Sequence, residues 1–183
     1  KPKERPALWK VEGENSPLYI FGTVHLMSEG VTWFAGEIEE AFSKADTLVV
    51  EVDLSEVSRR ERIQTVRELA FLSGDTSLSD IVSESRMKEL KDLLSPMGVT
   101  ERALERWKPW FAAQTVVGAT AREAGFNPQN GVDVRLISKA KGSNMDIEGL
   151  ESFSEQLELF SDLSREEALY FLRDSLDERG KME

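Results

Sequence analysis

Residues 7–24 read ALWKVEGENSPLYIFGTV, and the reading of this stretch decides the fold. Ala7 to Gly13 and Pro17 to Val24 are both apolar and rich in aromatic and β-branched residues, as strands are. Glu14-Asn15-Ser16 separates them, so the pattern predicts a β-hairpin. Thr32 to Lys44 then carries Trp33, Phe34, Ile38, Ala41 and Phe42, the spacing of one helical face. Asp46 to Val52 (DTLVVEV) is a short, nearly continuous apolar run, the mark of a buried strand. The first fifty residues therefore run β-β-α-β.

A long helical stretch follows. Ser55 to Leu72 is charged and amphipathic, and Leu78 to Leu94 holds one or two helices ending at Ser95-Pro96-Met97-Gly98. Pro109 to Gly125 opens with proline and closes with glycine, the expected asymmetry of a helix. Its Ala112, Ala113, Gly118, Ala119 and Ala121 would let another backbone approach closely. After the turn cluster Asn127-Pro128-Gln129-Asn130-Gly131, a short helix is expected over Val132 to Lys141 and a strand over Met145 to Leu150. Two further helices carry capping boxes at Ser152/Glu155 and Ser164/Glu167. Strand–helix alternation at both ends, flanking helices and a helical insertion between predict an α/β fold. The hairpin makes its sheet mixed rather than all parallel. No repeat, low-complexity tract or linker divides the chain, and 183 residues is the length of a single domain.

Composition removes several classes of function. There are 34 acidic against 23 basic residues, a net charge of −11, which argues against a nucleic-acid or anionic-membrane partner. With no cysteine, disulfides, thiolate nucleophiles and sulfur-ligated zinc are excluded. No apolar run approaches the roughly 20 residues that span a bilayer. There is no G-x-S-x-G elbow, no phosphate-binding glycine loop, and no H-E-x-x-H, which a single histidine cannot make. Trp107, Trp110 and Phe111 read as a core or an interface rather than as a substrate platform.

That histidine, His25, closes Gly22-Thr23-Val24-His25 at a strand end, where open α/β sheets place their ligand crevices. Gly22 would let the backbone pass close to a neighbour or ligand. Neutral imidazole serves as a metal ligand or as a general base, and equally as a simple strand-end cap. Glu51 follows Leu48-Val49-Val50 and is expected to be partly buried, in need of a partner, a proton or a metal; an outward-facing glutamate is the alternative. Asp53 points to the same side or caps the next helix. Glu151 lies where the strand MDIEGL meets a helix, a place that acids occupy for dipole reasons alone. Asp133, after Gly131-Val132, has the same ambiguity, and Gln156 is one helical turn beyond Glu151.

Five stretches carry a resemblance in their order and spacing: LWKVEGENSPLYIFGTVHL, ADTLVVEVD, KPWFAAQ, NGVDVRLISKAKG and IEGLESFSEQL, from residue 8 to about residue 157. In these the chain resembles the TraB/GumN family, which includes the TIKI metalloproteases and the pheromone-shutdown proteins. The resemblance implies a mixed-sheet α/β fold and, in the TIKI branch, divalent-metal-dependent peptide hydrolysis. It implies that His25 of the G-x-x-H and Glu51 hold a Mn²⁺- or Co²⁺-like ion that activates water. Glu151 would be a further ligand or proton shuttle, with Gly22, Asp133 and Gln156 in support. The family pattern also has a second G-x-x-H near the C-terminus, which this sequence lacks. The expectation is therefore that these residues are the N-terminal two-thirds of a family domain, inactive alone and binding metal weakly or not at all. One tight stoichiometric site in a metal titration would overturn it. The rival readings are a non-catalytic protein that sequesters a signalling peptide and a haem- or metal-binding relative using His25 as axial ligand. A periplasmic or otherwise exported location is expected; the chain begins Lys1-Pro2-Lys3 without a methionine, as a processed or trimmed product would, and a targeting segment can have been removed with it. A homodimer is a further expectation, through an exposed sheet edge.

Overall fold

The structure is a computed structural model that describes residues 7–14 and 16–182, the last three of them as backbone. Asn15, in the expected hairpin loop, lies outside the described residues, as do Lys1 to Lys3 and Glu183. The chain divides into two compact units, Lys1–Asp53 with Gly125–Leu150, and Leu54–Ala124 with Glu151–Glu183.

Among the described residues, the first unit holds all the strands. β1 (Leu8–Val11) and β2 (Leu18–Phe21) form the expected antiparallel hairpin, in the register Leu8–Phe21, Trp9–Ile20, Lys10–Tyr19 and Val11–Leu18. Alternation turns Leu8 and Phe21 to the core, while Trp9, Val11, Leu18 and Ile20 are each about half exposed. β3 (Met27–Ser28) follows, then α1 (Glu37–Lys44) and β4 (Thr47–Val50). Helix α1 starts five residues later than the apolar spacing predicts. Gly36 takes φ 60°, which no helix tolerates, so Trp33 and Phe34 enter the core from the turn before it. Later in the chain come β5 (Phe126–Asn127), α6 (Val132–Gly142) and β6 (Asp146–Gly149), the first paired with β3 antiparallel and the last with β4 parallel. Mixed pairing is therefore present, but as three two-stranded ladders rather than one continuous sheet. Helix α6 packs on β4 and β6 and contributes Val132 and Leu136 to a core with Met27, Trp33 and Ile38. Phe21 stacks on Trp33 at 5.8 Å, and Lys139 Nζ lies 4.0 Å from the Phe34 ring centre.

The second unit is the helical insertion together with the chain's end. It holds α2 (Arg59–Ala70), α3 (Glu84–Leu94), the single turn α4 (Glu101–Leu104), α5 (Pro109–Glu123), α7 (Phe153–Ser161) and α8 (Arg165–Met182). Leu78, Leu90, Leu94, Leu104, Val116 and Leu172 are fully buried at its centre. Ala112, Ala113 and Ala119 are buried where α5 packs along α8, as their small size suggested. Gly118 has no such part, because a Cβ there would meet nothing within 4 Å. Trp107, Trp110 and Phe111 are core, with ring centres 4.8 and 5.6 Å apart and Phe160 stacked on Trp110.

The helix ends show how sequence sets boundaries. Both expected capping boxes form, Ser152 with Glu155 and Ser164 with Glu167, and Ser58 with Glu61 makes a third that starts α2. Asp53 is therefore not the cap of that helix. The serine hydroxyl and backbone N–H hold Glu61 and Glu167 below the usual glutamate value of 4.5, and the backbone N–H then the hydroxyl do so for Glu155. A carboxylate whose folded pKa is lowered contributes stability above its ordinary pKa and loses it as pH falls through the lowered value. The urea midpoint of the helical signal should therefore fall between pH 6 and pH 3. Glu→Gln at the three positions should flatten part of that fall; an unchanged pH profile would refute the role of these caps.

Candidate functional site

The hairpin delivers His25. Beyond β2 the ladder gains one bond, Gly22 N–H to the Ala7 carbonyl at 3.0 Å, and the chain then leaves the sheet through Thr23 and Val24. There it meets the start of α6. The Val132 N–H, one of the orphan donors of a helix's first turn, donates to the Val24 carbonyl at 2.9 Å. Gly131 lies directly beneath the His25 backbone: a Cβ on it would sit 2.3 Å from the His25 carbonyl oxygen. The helix start and the histidine segment thus touch backbone to backbone.

That contact brings Asp133 to His25. His25 Nδ1 lies 2.8 Å from one Asp133 carboxylate oxygen, and Thr23 Oγ1 donates to the other at 2.9 Å. Asp133, in the first turn of α6, faces the positive end of the helix dipole and is only 21% exposed. A carboxylate cannot donate, so Nδ1 carries the proton and Nε2 of a neutral ring presents a lone pair. Nε2 points towards Glu51, whose Oε2 is 3.7 Å away. His25 is 67% exposed and Glu51 57%, so both remain open to a ligand.

Two sequence expectations need correction. Glu51 is not partly buried: in β4 Val50 turns to the core, and the next residue turns outward by strand alternation. Nor does Gly22 serve a close approach to a protein neighbour, since a Cβ there would meet only the Ala7 carbonyl, at 3.9 Å. The glycine with that role is Gly131, and Thr23 is the second residue that the sequence reading passed over. The structure brings His25, Asp133, Thr23 and Glu51 together. Glu151 directly precedes Ser152, the cap of α7, and Gln156 lies in that helix; both belong to the helical unit and are half-buried.

The donor set suits a divalent ion in kind, an imidazole nitrogen and a carboxylate, with Asp133 as the outer carboxylate that fixes a ligating ring. It is short in number. Both Asp133 oxygens are engaged, and among the described residues no group of three or more His, Cys, Asp or Glu side chains could hold a metal ion.

The model of the TraB/PrgY/gumN family matches residues 7–183. The chain belongs to this family. An uncharacterized protein of Treponema pallidum is 26% identical over 171 residues, which are 93% of this chain and 51% of that protein. The uncharacterized protein YbaP of Escherichia coli is 22% identical over 162 residues, 88% of this chain and 58% of YbaP; YbaP of Shigella flexneri gives the same figures. The chain thus spans little more than half the length of these family members. No solved structure matches it.

Proposed function

We propose that the His25 centre belongs to a metal-dependent peptide hydrolase. The observation that carries this reading is the chain Thr23–Asp133–His25, which holds the imidazole in one tautomer with Nε2 turned to Glu51. An outer carboxylate on a histidine is the usual support of a ligating or proton-accepting ring. His25 Nε2 and Glu51 are the side chains that would hold the ion, and the ion would lower the pKa of a bound water to make a nucleophile. Divalent ions take four to six or more donors, water included, so further donors than these two would complete the site. The peptide substrate rests on the likeness to TIKI metalloproteases, as does the Mn²⁺- or Co²⁺-like ion. An exported location and pairing with a second copy belong to the same reading.

The test is cleavage of a peptide library by this chain and by any longer product of its gene, with and without EDTA, beside His25→Ala. Loss of cleavage under both changes is expected. Cleavage that survives both would sink the mechanism, and no cleavage in any sample would favour a peptide-sequestering protein.

A further inference from the structure

Asn130-Gly131 is the one Asn-Gly pair in the sequence, and it stands where the start of α6 meets the histidine segment. Two demands fix it there. Position 131 must be glycine, because a Cβ would lie 2.3 Å from the His25 carbonyl oxygen. Asn130 closes the single 3-10 turn Pro128–Asn130, and its Oδ1 accepts from Arg135 Nη2 of α6 at 3.1 Å.

The pair carries a chemical liability. With no side chain on the following residue, the backbone nitrogen reaches the asparagine Cγ at little steric cost. Once a base has taken its proton, the Gly131 nitrogen bonds to Cγ, the Cγ–Nδ2 bond breaks, and ammonia leaves with a proton. The product is a five-membered succinimide. Water opens it at either carbonyl and leaves an aspartyl or an isoaspartyl residue at position 130. The same missing side chain that admits the His25 backbone therefore leaves the nitrogen open to this reaction.

In the folded chain both reacting groups are held. The Gly131 N–H donates to the Pro128 carbonyl at 3.0 Å, and Gly131 is buried. The 3-10 turn gives Asn130 a helical ψ of about −25°, from which the nitrogen must swing to close the ring. Arg135 meanwhile holds the carboxamide.

We propose that Asn130 is a self-modification site, latched by Arg135 and released by local opening of the Pro128–Asn130 turn, whose isoaspartyl product disables the His25 centre. An isoaspartyl link adds one atom to the backbone just before Gly131, where backbone already touches backbone. The Val132–Val24 hydrogen bond and the hold of Asp133 on the imidazole are lost with that contact. The proposal stands whether or not the centre hydrolyses peptides.

Peptide-map mass spectrometry of the chain, aged in mildly alkaline buffer, tests this. Modification at position 130 should be at least about tenfold slower in the folded chain than in urea. In Arg135→Met it should be about tenfold faster than in the wild type, the worth of one charged hydrogen bond. Asn144, which is exposed, should react alike in both chains. Equal rates in the folded chain and in urea would overturn the gating, and an equal rise at Asn144 would assign the effect to general loosening and overturn the latch. A slower reaction in Arg135→Met would also overturn the latch, because the guanidinium would then be polarising the carboxamide for attack. The imidazole ¹⁵N signal of the aged wild type should change in step with modification, and that of aged Asn130→Gln should persist. An unchanged signal in the modified chain would overturn the effect on the centre.

Discussion

Gly131→Ala is expected to destabilise the strand-bearing unit by about 1–3 kcal/mol, the usual cost of forcing a methyl group into closed space. The cost is steric, because Gly131 has φ −53° and ψ 147°, angles open to any residue. The added Cβ would lie 2.3 Å from the His25 carbonyl oxygen, 2.9 Å from its carbon and 3.1 Å from the Pro128 carbonyl oxygen. All three neighbours are backbone, so no side chain can swing aside. Relief requires the His25 segment to separate from the start of α6, which breaks the Val132–Val24 hydrogen bond and draws Asp133 away from the imidazole. Gly22→Ala is the control. Its Cβ meets only the Ala7 carbonyl at 3.9 Å, ordinary contact, so a change within about 0.5 kcal/mol is expected. Urea unfolding of the two variants decides the matter, and equal midpoints would show that the backbone contact carries no weight.

The contrast between these glycines marks how far the sequence could be read. Gly22 drew the eye because it precedes the histidine, and local context is what a sequence displays. Gly131 stands in a turn cluster, where glycine has an ordinary conformational reading, and its partner is more than a hundred residues away. Asp133 was named but left ambiguous for a related reason: an acid in a first helical turn has a sufficient local reason, and only the fold adds the second.

Elements with a long periodic signal were legible. The hairpin, α5, α6 and the parallel strands β4 and β6 lie within a few residues of their expected places. β3 and β5 have two residues each, too few to display a period of two, and only their pairing defines them. The late start of α1 depended on the positive φ of Gly36, which residue type permits but does not require. Glu51 was misjudged because an apolar run was read as buried on both faces, whereas β4 alternates and Val49 is 48% exposed.

Under the proposed function, Asp133→Asn is expected to lower the peptide hydrolysis proposed for the His25 centre on the order of 10²-fold or more, chiefly in kcat, with stability little changed. Aspartate gives Thr23 and His25 the same kind of partner: both carboxylate oxygens accept, so the hydroxyl and Nδ1–H both donate. Asparagine has one oxygen and one NH₂ group and cannot accept from both. If its oxygen stays with Thr23, the NH₂ faces Nδ1 and the proton moves to Nε2, the nitrogen that Glu51 faces. The ring then no longer offers a lone pair to an ion or to water. If the amide turns round, Nδ1 keeps its proton but the Thr23 hydroxyl loses its acceptor. Thr23→Val should therefore partly rescue Asp133→Asn, because it removes the competitor for that single oxygen. The readout need not be activity. His25 is the only histidine in the chain, so the imaginary crowding of imidazole signals in a ¹⁵N spectrum does not arise. The wild-type ring at high pH should show the Nδ1–H tautomer, Asp133→Asn a shift towards Nε2–H, and the double variant a return. Identical spectra for all three would mean that Asp133 is a helix-start acid that merely lies beside the histidine.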